Sequence, residues 1–216
     1  MLGEIMPRFE GRASHWLARR AAANAESLIS DLICGAVALW HRESFSRFKD
    51  DELSCTIRLY AFCRQVVSSD RDKYSQVNVF YEAAQPSNDM LAGLANPLRT
   101  PRPDLTLRIG VTQIRLEAKL LGKDRRLARL YVTQGMARFL DGRYGQQGVP
   151  GVMIAYLLNG DPLAAVDWIN SSLVVSLGRE SAESLVPHKS DHTRVFVHQS
   201  RHAIGIRLIH KMIDLR

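Results

Sequence analysis

Cysteine is scarce in this chain, and its scarcity excludes whole classes of protein. Three cysteines (Cys34, Cys55 and Cys63) among 216 residues are too few, and odd in number, for a disulfide framework. No CxxC pair occurs, which removes the usual cysteine-based zinc sites. Cys55 and Cys63 lie eight positions apart in a helix-like stretch, the spacing of two reduced thiols buried on one helix face. Long uncharged apolar runs are missing too. The best, residues 28–40, is interrupted by Asp31 and falls short of the ~20 residues that span a bilayer. The first residues mix arginine with glutamate and lack a signal peptide's order of charge, apolar run and small-residue cleavage site. The expectation is a cytoplasmic protein with no membrane partner. There is no internal repeat, no Pro/Gly/Ser-rich linker and no Gly-rich phosphate loop of Walker type; residues 142–151 are a glycine-containing turn. With 46% hydrophobic residues, the chain can bury one full core.

Charge is present in an informative distribution. Residues 1–100 carry 12 basic and 12 acidic side chains, whereas residues 101–216 carry 17 and 10, the whole of the +7 net charge. Nine basic and three acidic residues fall within 99–129. A concentrated basic surface is how a protein approaches a polyphosphate, although a solvated basic face has the same composition.

Hydrophobic periodicity places the elements. Residues 14–41 read as helix, with Leu28, Leu32, Ala36 and Leu39 in one stripe and Ile29, Ile33, Val37 and Trp40 in another. So wide an apolar face implies burial on the domain body, or against a protein partner or second copy. Asp50, Asp51 and Glu52 open a second helix running to about Val67, with Leu53, Ile57 and Tyr60 on one side. Residues 76–84 have strand character, and a short helix is expected after Ser87. Leu105, Leu107 and Ile109, then Ile114, Leu116, Ala118 and Leu120, alternate with polar neighbours and predict a hairpin. A helix over 124–144, a strand over 152–158, a helix over 162–177 and strands over 194–198 and 204–208 complete the reading. The order implies an α/β sandwich: a central mixed sheet flanked by helices, with residues 1–49 as an N-terminal helical extension on a 50–216 domain.

Chemistry concentrates at the hairpin. Pro103 and Asp104 open its first strand, and Glu117, Ala118 and Lys119 close its second. Alternation puts Glu117 and Lys119 on one face and Ala118 on the other, while the hairpin returns Asp104 to their side. Two carboxylates and an amine then converge on one sheet edge, where oxygen ligands suit Mg²⁺ or Mn²⁺. This arrangement resembles the PD-(D/E)xK, or restriction-endonuclease-like, nuclease superfamily; the likeness in element order covers about residues 50–159. It implies a three-layer restriction-endonuclease-like sandwich and a Mg²⁺-dependent nuclease, with Mn²⁺ as substitute and DNA preferred over RNA. Asp104 and Glu117 would hold the metal, assisted by the main-chain carbonyl of Ala118, and Lys119 would serve the attacking water. The resemblance also implies an acidic residue on the preceding helix, for which Glu52 is the best match and Glu82 an alternative.

A QxxxY pattern marks the following helix in some members; here Gln134 is present but Arg138 stands at the tyrosine position. Tyr131, Gln134 and Arg138 would share one helix face. Lys123, Arg125, Arg126 and Arg129 are candidate phosphate contacts that position nucleic acid without reading sequence. His188 and His192 have zinc-like i,i+4 spacing, but Pro187 and the missing glutamate of an HExxH motif argue against a metal. His198 and His202 fit satisfied, hydrogen-bonding histidines. A nuclease within a host-defence or mobile-element complex, and a non-catalytic nucleic-acid-binding or partner-docking subunit, are both compatible with these features.

Overall fold

The computed structural model describes residues 15–43, 51–82, 102–110, 112–144, 148–188 and 192–216, with side chains from residue 24 onward. The helix expected after Ser87 lies outside these residues. Helix α1 spans His15–Arg42 and α2 Glu52–Ser69. Strands β1 (Val77–Tyr81), β2 (Leu105–Ile109) and β3 (Thr112–Leu121) follow. Helix α3 covers 125–140, and β4 (Gly151–Leu157) and α4 (Pro162–Leu177) come next. The chain ends in β5 (Val186–His188), β6 (Val195–Arg201) and β7 (Arg207–Asp214).

Among the described residues the strands form one seven-stranded mixed sheet ordered β1-β2-β3-β4-β7-β6-β5. The three central strands β3, β4 and β7 are parallel, and both flanks are antiparallel. Each face carries its own hydrophobic cluster. On one side Ile29, Ile33, Val37 and Trp40 of α1 and Leu59 and Phe62 of α2 pack on Ala118, Ile154 and Ile213. On the other, Tyr131, Val132, Met136 and Phe139 of α3 and Ile169 and Leu173 of α4 pack on Met153, Leu157 and Leu208. The apolar face of α1 is therefore buried on the chain's own sheet. No described helix is long and apolar enough to cross a membrane.

Caps set the helix ends. The Asp51 carboxylate accepts from Ser54 N at 2.8 Å, and Asp161 accepts from Ala164 N at 3.1 Å with Pro162 following. Gly178, in the left-handed region at φ 59°, closes α4.

One expectation is corrected, and two are refined. Helix α2 buries Cys55, Thr56, Leu59, Phe62 and Cys63, while Leu53 and Ile57 are exposed. The buried face is the one that carries Cys55 and Cys63, as their spacing predicts, and the Leu53/Ile57 side is the outer one. The final strand runs over Arg207–Asp214, beyond the 204–208 expected, and lies between β4 and β6. Its charged residues hid it: Lys211 is buried with Nζ donating to Ser30 Oγ at 3.0 Å, and burial lowers its pKa. The short exposed β5 holds His188, so the His188/His192 pair is not on a helix.

A buried polar chain ties α3 to the far half of the sheet. Tyr131 Oη, His210, Ser200 Oγ, His202 and Glu183 are linked in series at 2.8, 2.8, 2.9 and 2.6 Å. One consistent direction uses each proton once. Tyr131 donates to His210 Nδ1, His210 Nε2–H to Ser200, Ser200 to His202 Nε2, and His202 Nδ1–H to Glu183. Both histidines are then neutral, and burial holds their pKa values below the usual histidine range. The unfolded chain takes up these protons first, so stability is full above about pH 6.5 and falls as pH drops toward the folded values. The denaturation midpoint is expected to fall between pH 7.5 and 5.5, and less steeply in His210→Leu, which is also weaker at pH 7.5. An equally steep loss in that variant would remove the chain from the account.

Candidate metal and nucleic-acid site

The site exists because one strand stops short. The β2–β3 register ends at Leu105 opposite Leu116, so no β2 residue pairs with Glu117–Leu121. At this bare edge the Ala118 N–H donates to Asp104 Oδ2 at 2.7 Å, and the carboxylate takes the place of a strand carbonyl. Ala118 itself packs into the α1/α2 core. Glu117 and Lys119 point to the opposite face, as alternation requires, with Met153 and Ala155 beside them in register.

Lys119 then turns round the edge. Its Nζ donates to Glu52 Oε1 at 2.7 Å and Ala118 O at 2.7 Å, and lies 3.3 Å from Glu117 Oε1. Glu52 comes from the first turn of α2, so the ammonium joins both helical layers through the sheet edge. Gly135 of α3 packs directly over the Lys119 stem: a Cβ there would stand 3.4 Å from Lys119 Cγ and 2.5 Å from Met153 Cε. Arg138 donates to Glu117 Oε1 at 2.5 Å, and Tyr144 Oη beside it donates to Arg102 O at 2.8 Å.

Glu117 is fully buried, and its Oε2 has no hydrogen-bond partner among the described residues. Burial first, and then the Asp104 charge, raises its carboxyl to about 7 against the pull of Lys119 and Arg138. Burial also raises Asp104 above the usual carboxylate range. Burial acts to lower Lys119, but the Glu52 hydrogen bond and the nearby carboxylates outweigh it and leave the ammonium raised.

The hairpin and α2 thus bring together Asp104, Glu117, Ala118, Lys119 and Glu52. Arg138, noted in the sequence only as a substitute for tyrosine, is the cation held on Glu117. Gln134 is exposed and Tyr131 is buried on His210, so the expected common face of Tyr131, Gln134 and Arg138 does not form. The cause is the π-helical segment Tyr131–Met136 within α3, whose wider turn shifts the phase of the helix. Glu82, in the left-handed region at φ 42°, meets Asp104 through its backbone: Glu82 N donates to Asp104 O at 3.1 Å.

No family model, curated protein or solved structure matches this chain.

The basic residues of α3 occupy a separate place. Arg125, Arg126 and Arg129 line a cleft of about 700 Å³ with Thr133, Ser171, Ser172 and Ser176. Arg125 also stacks over Trp168 at 5.4 Å. Lys123, exposed, has its backbone N–H fixed by Asn159 Oδ1 at 2.8 Å. Guanidinium groups interleaved with hydroxyls offer phosphate donors without a base-reading element. Among the described residues, no three His, Cys, Asp or Glu side chains group as a metal site; the candidate donor set here includes a main-chain carbonyl.

Proposed function

We propose that this protein is a Mg²⁺-dependent nuclease with a PD-(D/E)xK active site on a restriction-endonuclease-like core. The observation that carries the reading is the Lys119 ammonium: it gathers oxygens of Glu52, Glu117 and Ala118 at the edge where Asp104 is anchored. The order α2-β1-β2-β3-α3-β4 supports the same reading. The donors fit a hard divalent ion. They are carboxylates and a carbonyl, and among the described residues the buried Glu117 Oε2 has no partner to offset its desolvation.

Asp104, Glu117 and the Ala118 carbonyl would hold the ion, with Glu52 as a further carboxylate. When bound, it would supply Lewis-acid stabilisation of the phosphate and a more acidic water. With an ion on these shared oxygens, Lys119 would be the residue to serve the attacking water or the phosphate. Arg138 favours the ionised form of Glu117, against burial, and orients it through Oε1. The hydroxyl-lined arginine cleft would hold phosphates away from the reacting bond.

The decisive experiment is incubation of the full chain with single- and double-stranded DNA and RNA in Mg²⁺, Mn²⁺ or EDTA. Cleavage that needs the metal is expected, with DNA preferred. Binding without cleavage under every metal would favour a non-catalytic nucleic-acid-binding module. The α3 surface has its own test. Replacing Arg125 and Arg126 with alanine should weaken duplex binding across sequences and flatten the salt dependence by about 0.9 for each phosphate no longer neutralised. An unchanged slope would remove this cleft from the interface.

A further inference from the structure

Among the described residues the sheet has two outer edges, and they are unlike. β5 is three residues long and contains Pro187, which has no N–H to offer a further strand. β1 lacks any such guard. Its five residues, Val77–Tyr81, include no proline, no glycine and no charge, the composition of a strand that accepts another beside it.

The register shows which backbone groups of β1 face outward. Glu82 N donates to Asp104 O at 3.1 Å and Gly110 N to Gln76 O at 3.0 Å, so the even-numbered residues bond to β2. Val77, Val79 and Tyr81 then turn their N–H and C=O groups to the outer edge. The Val77 N–H donates to Tyr74 O at 2.9 Å, which leaves Val79 and Tyr81 to present both groups.

A cleft of about 730 Å³ runs along this edge, and Val77, Asn78, Val79 and Phe80 all line it. Successive strand residues point to opposite faces, so one cleft meets all four only along the edge of the strand. The facing wall is the flank of α2, where Tyr60, Arg64, Val67 and Ser68 recur at helical spacing, with Arg71 past the helix end. Arg64 and Arg71 are exposed, and no acidic side chain is among the described lining residues.

We infer that the groove between α2 and the β1 edge binds an extended acidic segment of a protein partner, added to the sheet as a further strand. The edge supplies the repeating N–H and C=O groups that strand addition uses, and alternate side chains of the guest fall on either face. Those on the α2 side meet Arg64 and Arg71, which calls for glutamate or aspartate there. Those on the other side meet Asn78 and Phe80, whose ring carries the Arg108 guanidinium at 5.4 Å. A second copy of this chain, paired edge to edge, would set the Arg64 and Arg71 of both copies against each other. A nucleic-acid strand would answer the arginines but has no repeating donor for the carbonyls of Val79 and Tyr81. The inference stands apart from the nuclease reading and survives its failure.

The test uses the full chain and a short fluorescent peptide that alternates glutamate with valine. One counterpart carries lysine for glutamate, and another carries methyl groups on the amides that would face β1. Only the unmodified glutamate peptide should bind, with an affinity that falls as salt rises. Replacing both Arg64 and Arg71 with alanine should weaken it about fivefold, the worth of two exposed ion pairs. Residue-resolved hydrogen exchange of the unaltered protein reads strand addition directly. The Val79 and Tyr81 amides should exchange fast in the free protein and slowly with the peptide bound, while those of Asn78 and Phe80 stay slow throughout. Equal binding of the lysine or methylated peptide, unchanged exchange at Val79 and Tyr81, or unchanged affinity in the double variant would each overturn the inference. Slow exchange at both amides in the free protein, with a doubled mass in solution, would overturn it in favour of a second copy. Binding of single-stranded DNA but no glutamate peptide would assign the arginines to nucleic acid instead.

Discussion

Lys119→Ala is expected to slow single-turnover cleavage by about 10²–10⁴-fold while leaving metal binding intact or tighter. The two halves of that result have one cause. Lys119 Nζ is within 2.7 Å of Glu52 Oε1 and Ala118 O and within 3.3 Å of Glu117 Oε1, so in the metal-free protein it competes as a cation for those oxygens. Removing it takes away the competitor and also the group placed to orient water and stabilise developing charge. Lys119→Met should behave the same way, since methionine preserves the stem that Gly135 packs on. Calorimetry with Mn²⁺ and quenched cleavage at saturating metal read the two effects independently. A folded Lys119→Ala protein that cuts at the parental rate ends the proposed mechanism, even if the chain is a nuclease.

Glu117→Gln should move stability and function in opposite directions. Glu117 is fully buried, its Oε2 is unpartnered among the described residues, and burial together with the Asp104 charge resists its ionisation. Glutamine keeps the shape and an acceptor for Arg138 but carries no charge to desolvate, and Lys119 retains Glu52. Without metal, the variant should be more stable than the parent at pH 8, because burial holds the folded carboxyl at about 7, above its unfolded value, and ionising it there costs stability. Mn²⁺ should then raise the parent's melting temperature by mass action and leave the variant's unchanged, with metal affinity reduced about 100-fold or more. Asp104→Asn should lose metal similarly. If Mn²⁺ shifts parent and Glu117→Gln equally, Glu117 does not hold the ion.

The hairpin was legible because its residues obey one rule throughout. From Leu105 to Ile109 and from Thr112 to Leu121 the two-residue period fixes which side chains share a face, and Asp104, Glu117 and Lys119 follow from it. The face of α2 was legible only in part, through the spacing of Cys55 and Cys63. Leu53 and Ile57 are as apolar as Leu59 and Phe62, and only the packing of α1 against the sheet decides between them. β7 was misplaced because polar side chains inside it are satisfied by distant partners: His210 by Tyr131 and Ser200, Lys211 by Ser30. Such pairs are invisible to a local pattern. The same limit hid Arg138, whose value lies in a carboxylate 21 positions earlier in the chain.

The π-helical stretch of α3 also determines how the molecule tolerates length change. An inserted residue in a helix delays everything after it by about 100° of rotation. Tyr131 at the start of the stretch addresses β7, and Arg138 after it addresses β3, two strands and roughly 10 Å apart in the sheet. A regular helix would put both side chains within about 20° of one another and could serve only one strand. Deleting a single residue from Tyr131–Met136 would thus leave a longer run of ordinary helix, yet it would force a choice between the buried histidine chain and the carboxylate cluster. In this helix, the residue that looks surplus keeps two distant appointments in step.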